Sequence, residues 1–250
     1  MSGFVTPAKL QLLNVVKQGR VQGLQEYAVM NTGIDAGSYE KVFDHYFHTA
    51  AIYPVFTPNW NTTVFLDWIT ETQFKVRFGT AAGLNAALTY RISVYGGSLS
   101  VTAADTSATL THNLNDATAI YLFTPDWHTT IYAKVKAANT ITLGFSNQPI
   151  RARTIRYVRF NADSQSMVRD GFGWDGFGLG QFINPVQGAG SDLITHNQGR
   201  FTHAFFTPSW NTTVVPIDRT RTDTSFQVRY QVEPQVGQNL DIVTAEPLLA

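Results

Sequence analysis

Two hydrophobic patterns recur along the chain, and both have the period of β structure. Phe74, Val76 and Phe78 alternate with Gln73, Lys75 and Arg77, and Phe226, Val228 and Tyr230 alternate with Gln227 and Arg229. Such alternation predicts strands with one face in a core and the other in water. Ile141, Leu143 and Phe145 hold the corresponding places between them. A further alternating strand runs through Ala86, Leu88, Tyr90, Ile92 and Val94, with a counterpart around Ile155, Tyr157 and Phe160. The second pattern is a short unbroken apolar run, seen at Ile52 to Phe56, Ile120 to Phe123 and Ala204 to Phe206. Runs of this length and composition suit strands buried on at least one face.

Each unbroken run leads into the same octapeptide, Phe-Thr-Pro-X-Trp-X-Thr-Thr, at Phe56 to Thr63, Phe123 to Thr130 and Phe206 to Thr213. The tryptophans Trp60, Trp127 and Trp210 are preceded at 15, 15 and 14 residues by His45, His112 and His196. The likeness therefore extends over a unit of about 50 residues. Within a unit, Thr-Pro-X-Trp reads as a turn with proline presetting φ, and Val64, Ile131 and Val214 open a returning strand. Four or five antiparallel strands per unit are enough for a small sandwich. The expected fold is all-β, with three repeated small antiparallel β-sandwich units and an N-terminal arm containing a short helix. The expected boundaries are 1–40 for the arm, 41–104 and 105–165 for the first two units, 166–192 for an insertion or linker, and 193–250 for the third unit.

The segments outside the repeat have their own character. Thr6 can cap a helix with Pro7 at its first position, and Leu10, Leu13, Val16 and Lys17 follow at helical spacing up to Gly19. About three turns are marginal alone, so this arm is expected to dock on something else. Gly171 to Gly180 interleaves glycine with Phe172, Trp174, Phe177 and Leu179, unlike a solvent linker. Leu10, Leu13, Val16, Phe172, Trp174 and Phe177 are thus candidate assembly contacts.

Composition narrows the chemistry. Charged residues are only 14% of the chain, with 18 basic and 18 acidic side chains, which offers nucleic acid or an anionic membrane no global attraction. Without cysteine, disulfides, thiolate metal sites and thiol nucleophiles are excluded. Met1 to Pro7 lacks a basic stretch followed by an apolar one, and no run reaches about 18 apolar residues. A soluble protein with no membrane insertion is expected. Asn61 and Asn211 begin glycosylation sequons, a match without weight in the absence of a secretion signal. Dinucleotide, Walker, zinc-protease, EF-hand and nucleophile-elbow motifs are missing from the sequence. The pairs Asp67 with Glu71 and Asp170 with Asp175 are sequence neighbours that nothing places across a cleft. Neither catalytic residues, metal ligands nor a cofactor are expected. The three repeated histidines read as turn-bonded residues at strand starts, with metal binding open only if the units form a ring.

The tryptophans have two readings. Aromatic faces with neighbouring polar groups can hold a ligand, which makes Trp60, Asn61, Trp127, His128, Trp210 and Asn211 candidate binding residues. The other reading folds each indole over the end of its own sandwich as a plug. The variable residues Asn59, Asp126 and Ser209 favour the plug.

Thr109-Leu110-Thr111-His112-Asn113-Leu114, followed by the strand, the turn and Thr140 to Phe145, resembles a pattern of tailed-bacteriophage virion proteins, in which such an opening leads into small β-sandwich repeats of fibres, tail accessories and head decoration. The outline is also weakly similar to the H-type lectin domain. The third unit keeps Thr195-His196-Asn197 but then has Gln198, and the first has His45-Tyr46-Phe47. The resemblance implies a noncatalytic structural protein of a virion, decorating the capsid or belonging to the tail or neck. Its partners would be other virion proteins and further copies of itself, a trimer included. The alternative is a glycan- or receptor-binding adhesin that recognises a cell-surface glycan through the tryptophan loops. A polysaccharide-degrading enzyme is a distant third.

Overall fold

The computed structural model describes residues 29–160, 179–196 and 202–245. Eighteen strands fill these segments in three sets of six. The first set is β1 (Val29–Gly33), β2 (Glu40–Asp44), β3 (Tyr53–Pro58), β4 (Val64–Ile69), β5 (Gln73–Phe78) and β6 (Ala87–Ser93). The second is β7 (Gly97–Val101), β8 (Ser107–Thr111), β9 (Ile120–Pro125), β10 (Ile131–Lys136), β11 (Thr140–Phe145) and β12 (Arg153–Phe160). The third is β13 (Leu179–Ile183), β14 (Ser191–Thr195), β15 (His203–Pro208), β16 (Val214–Ile217), β17 (Ser225–Tyr230) and β18 (Leu240–Ala245).

Each set folds the same way. Its first, sixth and third strands form one antiparallel sheet, and its second, fifth and fourth strands form another: β1-β6-β3 with β2-β5-β4, β7-β12-β9 with β8-β11-β10, and β13-β18-β15 with β14-β17-β16. The all-β expectation and the small antiparallel repeats hold, but each unit has six strands rather than four or five. The extra strand is the first of each set. Residues 29–33, expected in the arm, pair with β6, and residues 179–183, expected in the linker, pair with β18. Likewise β7, expected at the end of the first unit, pairs with β12 of the second. The expected helix over Thr6 to Gly19 lies outside the described residues, as do Leu10, Leu13, Val16, Phe172, Trp174 and Phe177.

The two hydrophobic patterns separate the two kinds of sheet. The middle strand of each second sheet buries alternate residues: Phe74, Val76 and Phe78 on β5, Ile141, Leu143 and Phe145 on β11, and Phe226, Val228 and Tyr230 on β17. These side chains close three separate cores against the facing sheet of the same unit. The unbroken runs lie on β3, β9 and β15, where both faces are occupied. Phe56, Phe123 and Phe206 face their own cores, whereas Val55, Leu122 and Phe205 join a fourth core with Val29, Ile120, Val158 and Val243. That fourth core takes residues from all three units. The strands β3, β9 and β15 touch one another pairwise, and the contacts of β4 with β9, β10 with β15 and β16 with β3 run in one sense around the molecule. The units therefore close into a ring with pseudo-threefold symmetry about a shared apolar axis.

Departures from the repeat fall on the fourth strands. The ladder shifts register between Leu66 and Trp68 on β4 and between Ala133 and Val135 on β10, so Asp67 and Lys134 sit in equivalent bulges. The third unit instead ends a four-residue strand in a 3-10 turn over Asp218–Thr220.

Candidate functional site

The three octapeptides occupy equivalent places, and the geometry gives each position a structural task. Pro58, Pro125 and Pro208 are the last residues of β3, β9 and β15, so the turn begins one residue later than proline's presetting role predicts. These are edge strands of three-stranded sheets, where a missing N–H is tolerated. The next residue bonds the start of the sixth strand twice. Asn59 Oδ1, Asp126 Oδ1 and Ser209 Oγ accept from the amides of Ala87, Thr154 and Asn239 at 2.8, 3.0 and 2.8 Å. Their own amides donate to Ala87, Thr154 and Asn239 carbonyls at 3.0, 3.1 and 2.9 Å. Asparagine, aspartate and serine interchange here because each carries an acceptor on a short stem.

The indoles close the ends of their sandwiches. Trp60, Trp127 and Trp210 meet Phe78, Phe145 and Tyr230 edge-on at centroid distances of 5.0, 5.3 and 5.2 Å. Their Nε1–H groups donate to the carbonyls of Thr80, Asn147 and Val232 at 3.5, 2.9 and 2.8 Å. Trp127 and Trp210 are buried, and Trp60 is partly so. The first threonine of each closing pair, Thr62, Thr129 or Thr212, accepts from the amide of Thr80, Asn147 or Val232 at 3.0, 3.1 or 2.9 Å. Strand, turn and strand are thus tied to the loop beyond the fifth strand.

The residues after the tryptophans reach neighbouring units. Asn61 Oδ1 accepts from Thr213 Oγ1 of the third unit at 2.6 Å. The His128 ring lies against Phe65 of the first unit at 5.7 Å. A Cβ at Gly79 would stand 2.5 Å from His128 Nε2 and 2.4 Å from Thr63 Oγ1, so this position stays glycine to admit the histidine. Asn211 is exposed.

The three motifs come together at the axis. Their phenylalanines, prolines and threonines line a pocket of about 110 Å³, room for a few waters at most. Thr124 Oγ1 donates across the seam to Pro54 O at 2.7 Å, and Thr207 Oγ1 does the same to Tyr121 O at 2.7 Å. Thr57, third in the ring, is 3% exposed and its hydroxyl has no partner among the described residues. Further seam contacts are a buried ion pair, Lys136 Nζ to Asp241 Oδ2 at 2.8 Å, and Thr89 Oγ1 to His203 Nδ1 at 3.2 Å. Burial raises the Asp241 carboxyl above the ordinary carboxylate range against the pull of Lys136.

The repeated histidines remain within their own units. His45 bonds Thr70 O at 3.1 Å and packs on Phe74, His112 packs on Tyr121 and His196 on Phe226. Burial lowers His45 and His196 below the usual histidine range. Although the units do form a ring, no cluster of three metal-ligating side chains occurs among the described residues. Asp67 is engaged with Lys75 and Arg77 at 3.5 and 3.2 Å, and Glu40 joins both cations, a charged face on the outer sheet. Asp170 and Asp175 lie outside the described residues. No helix is long and apolar enough to cross a membrane among the described residues.

A scan of family models, a search of curated proteins and a search of solved structures each find nothing that matches the chain.

Proposed function

We propose that this chain is a noncatalytic structural component of a virion of the tailed-bacteriophage kind, a capsid-decoration or tail or neck accessory protein anchored through its N-terminal arm. The closed ring is the observation that supports this reading. Its three motif loops spend their polar groups on internal ties and seams, so the outer sheets are left to meet other proteins. A single chain that mimics a trimer offers three near-equivalent outer faces without a subunit-association step. Other virion proteins are the partners, and any homo-oligomer would be assembled from rings rather than from single sandwiches.

The adhesin reading through the tryptophan loops is weaker. Two of its three indoles are buried and all three donate to backbone carbonyls, which removes both face and edge from a ligand. The test is incorporation into particles. Because β1 starts at Val29, the arm is best removed as residues 1–28, leaving the ring whole. Full-length protein is expected in purified particles, and the truncated protein is expected to fold but be lost from them. Equal incorporation would overturn the anchoring, and absence of the full-length protein from particles would overturn the virion role.

A further inference from the structure

The second unit departs from the first at one end of its sandwich, and the departure opens a cleft. In the first unit, the middle strand of the inner sheet places Tyr90 opposite Met30, and Tyr90 and Ile92 are 6% and 0% exposed. The second unit has Tyr157 opposite Gly97 and Arg159 in the place of Ile92. A Cβ at Gly97 would fall 2.3 Å from Tyr157 Oη, so the ring lies across the bare glycine. The next position also changes, from Pro54 in β3 to Tyr121 in β9. The result is a cleft of about 420 Å³, lined by Tyr95, His112, Tyr121, Tyr157 and Arg159 among others. That is within the roughly 300–1,000 Å³ range of small-molecule sites.

The polar groups of this cleft share one sign. Arg159 is exposed and makes no ion pair among the described residues; its positive charge acts on the neighbouring Tyr121 hydroxyl. His112 Nδ1 accepts from the Leu114 amide at 3.4 Å, which leaves the ring proton on Nε2. That nitrogen is buried without a partner among the described residues, whereas the equivalent Nε2 of His45 is bonded to Thr70 O. No carboxylate lines the cleft; Asp116, which lies near His112 and Tyr121, is occupied by the Thr118 amide and hydroxyl. A guanidinium, an imidazole N–H and hydroxyls together ask for an anionic acceptor, and a carboxylate fits the planar guanidinium through paired bonds. The walls supply the rest of the specificity. Tyr121 meets His112 at 5.6 Å and Tyr157 at 5.9 Å, and Tyr95 is 73% exposed at the rim.

We infer that this cleft binds a carboxylate-bearing sugar, with the acid on Arg159 and the sugar ring against Tyr95 and Tyr157, Tyr121 being a buried floor. The hydroxyls and the histidine N–H suit a polyhydroxylated ring better than a wholly apolar one. The site is independent of the assembly role, since it uses neither the arm nor the motif loops.

Calorimetric titration of the intact protein with galacturonate, N-acetylneuraminate, galactose, 4-hydroxybenzoate and inorganic phosphate tests this. At least one acidic sugar is expected to bind saturably at millimolar concentration, with galactose weaker by about tenfold or more. Arg159→Gln, at an exposed position, is expected to keep the thermal melt and to weaken the acidic sugar by about tenfold or more. Gly97→Met, which restores the bulk of the first unit, is expected to abolish binding. Failure of both acidic sugars to bind overturns the inference, as does an Arg159→Gln variant that binds as well as the parent. Saturation by 4-hydroxybenzoate or phosphate alone would show that the cleft selects charge or aromaticity and would overturn the sugar assignment.

Discussion

Three threonines in equivalent positions carry different burdens. Thr124 and Thr207 each give a hydroxyl proton to a carbonyl of the preceding unit, while Thr57 buries the same hydroxyl without a partner among the described residues. A buried hydrogen bond contributes about 1 kcal/mol net, and an acceptor left unpaired costs about 1–3 kcal/mol. Thr124→Val keeps the shape of the side chain but strands Pro54 O. It is expected to lower stability by about 1–3 kcal/mol in urea unfolding. Thr57→Val removes only an unsatisfied polar atom and is expected to be neutral or stabilising. Equal losses in the two variants would contradict the asymmetry at the axis. The same scale explains why the octapeptide invites a binding interpretation: its tryptophan, asparagine and threonine are ligand-type residues. The partners of its tryptophans and closing threonines, the backbone groups of Thr80, Asn147 and Val232, lie about twenty positions away on a loop with no motif of its own.

Between elements, the seam of the second and third units holds a buried ion pair. Charge enters the other seams through an exposed Asn59 to Asp218 hydrogen bond and through Arg91 and Arg156 over Phe160 and Tyr53. Register places Asp241 on β18 opposite Thr207 of β15, the place held by Thr89 on β6 and Arg156 on β12. Asp241 is 2% exposed and Lys136 is its cation. Removing one partner from a buried pair leaves an uncompensated charge and costs about 3–5 kcal/mol, whereas replacing both is often close to neutral. Lys136→Met is therefore expected to destabilise by about 3–5 kcal/mol. The double variant with Asp241→Thr, the residue of the first unit, is expected to recover most of that in a double-mutant cycle. A double variant as unstable as the single would show that the pair does more than neutralise itself. What is legible in the sequence also divides by element. The fifth strands announce themselves because one face meets water, so Lys75 and Arg77 alternate with Phe74 and Val76. The first strands do not: VMNTG, GSLSV and LGQFI share no pattern, since each is an edge strand whose place is set by pairing with the sixth strand rather than by its own periodicity. The cleft of the second unit was likewise missed, although Gly97 and Arg159 standing where Met30 and Ile92 stand in the first unit were there to compare once the register was known.

For the whole molecule, the unbroken runs predict that β3, β9 and β15 are buried on at least one face, but neither that the second face is covered nor what covers it. The cover is the same strand of the other two units, so the ring stands or falls with its seams. The seam of the third and first units carries a histidine strongly displaced by the fold. His203 lies against Thr89 of the first unit, and burial, with the nearby Arg221, lowers it to about 4 despite the opposing carboxylate of Asp218. The unfolded chain takes up this proton near pH 6.5, and the folded ring does so only near pH 4. Stability from a neutral His203 is thus complete above about pH 6.5 and is lost progressively down to about pH 4, a change on the order of 3 kcal/mol. His45 and His196 shift in the same direction and add to the slope, while the raised carboxyls of Asp126 and Asp241 work against it. His203→Ile, which installs the residue of β9 at this position, removes one titration and leaves the others. Urea midpoints measured from pH 7 to pH 4 are expected to converge or cross, the parent losing more stability than the variant as acid is added. Parallel curves for the two proteins would mean that the acid sensitivity of the ring resides elsewhere.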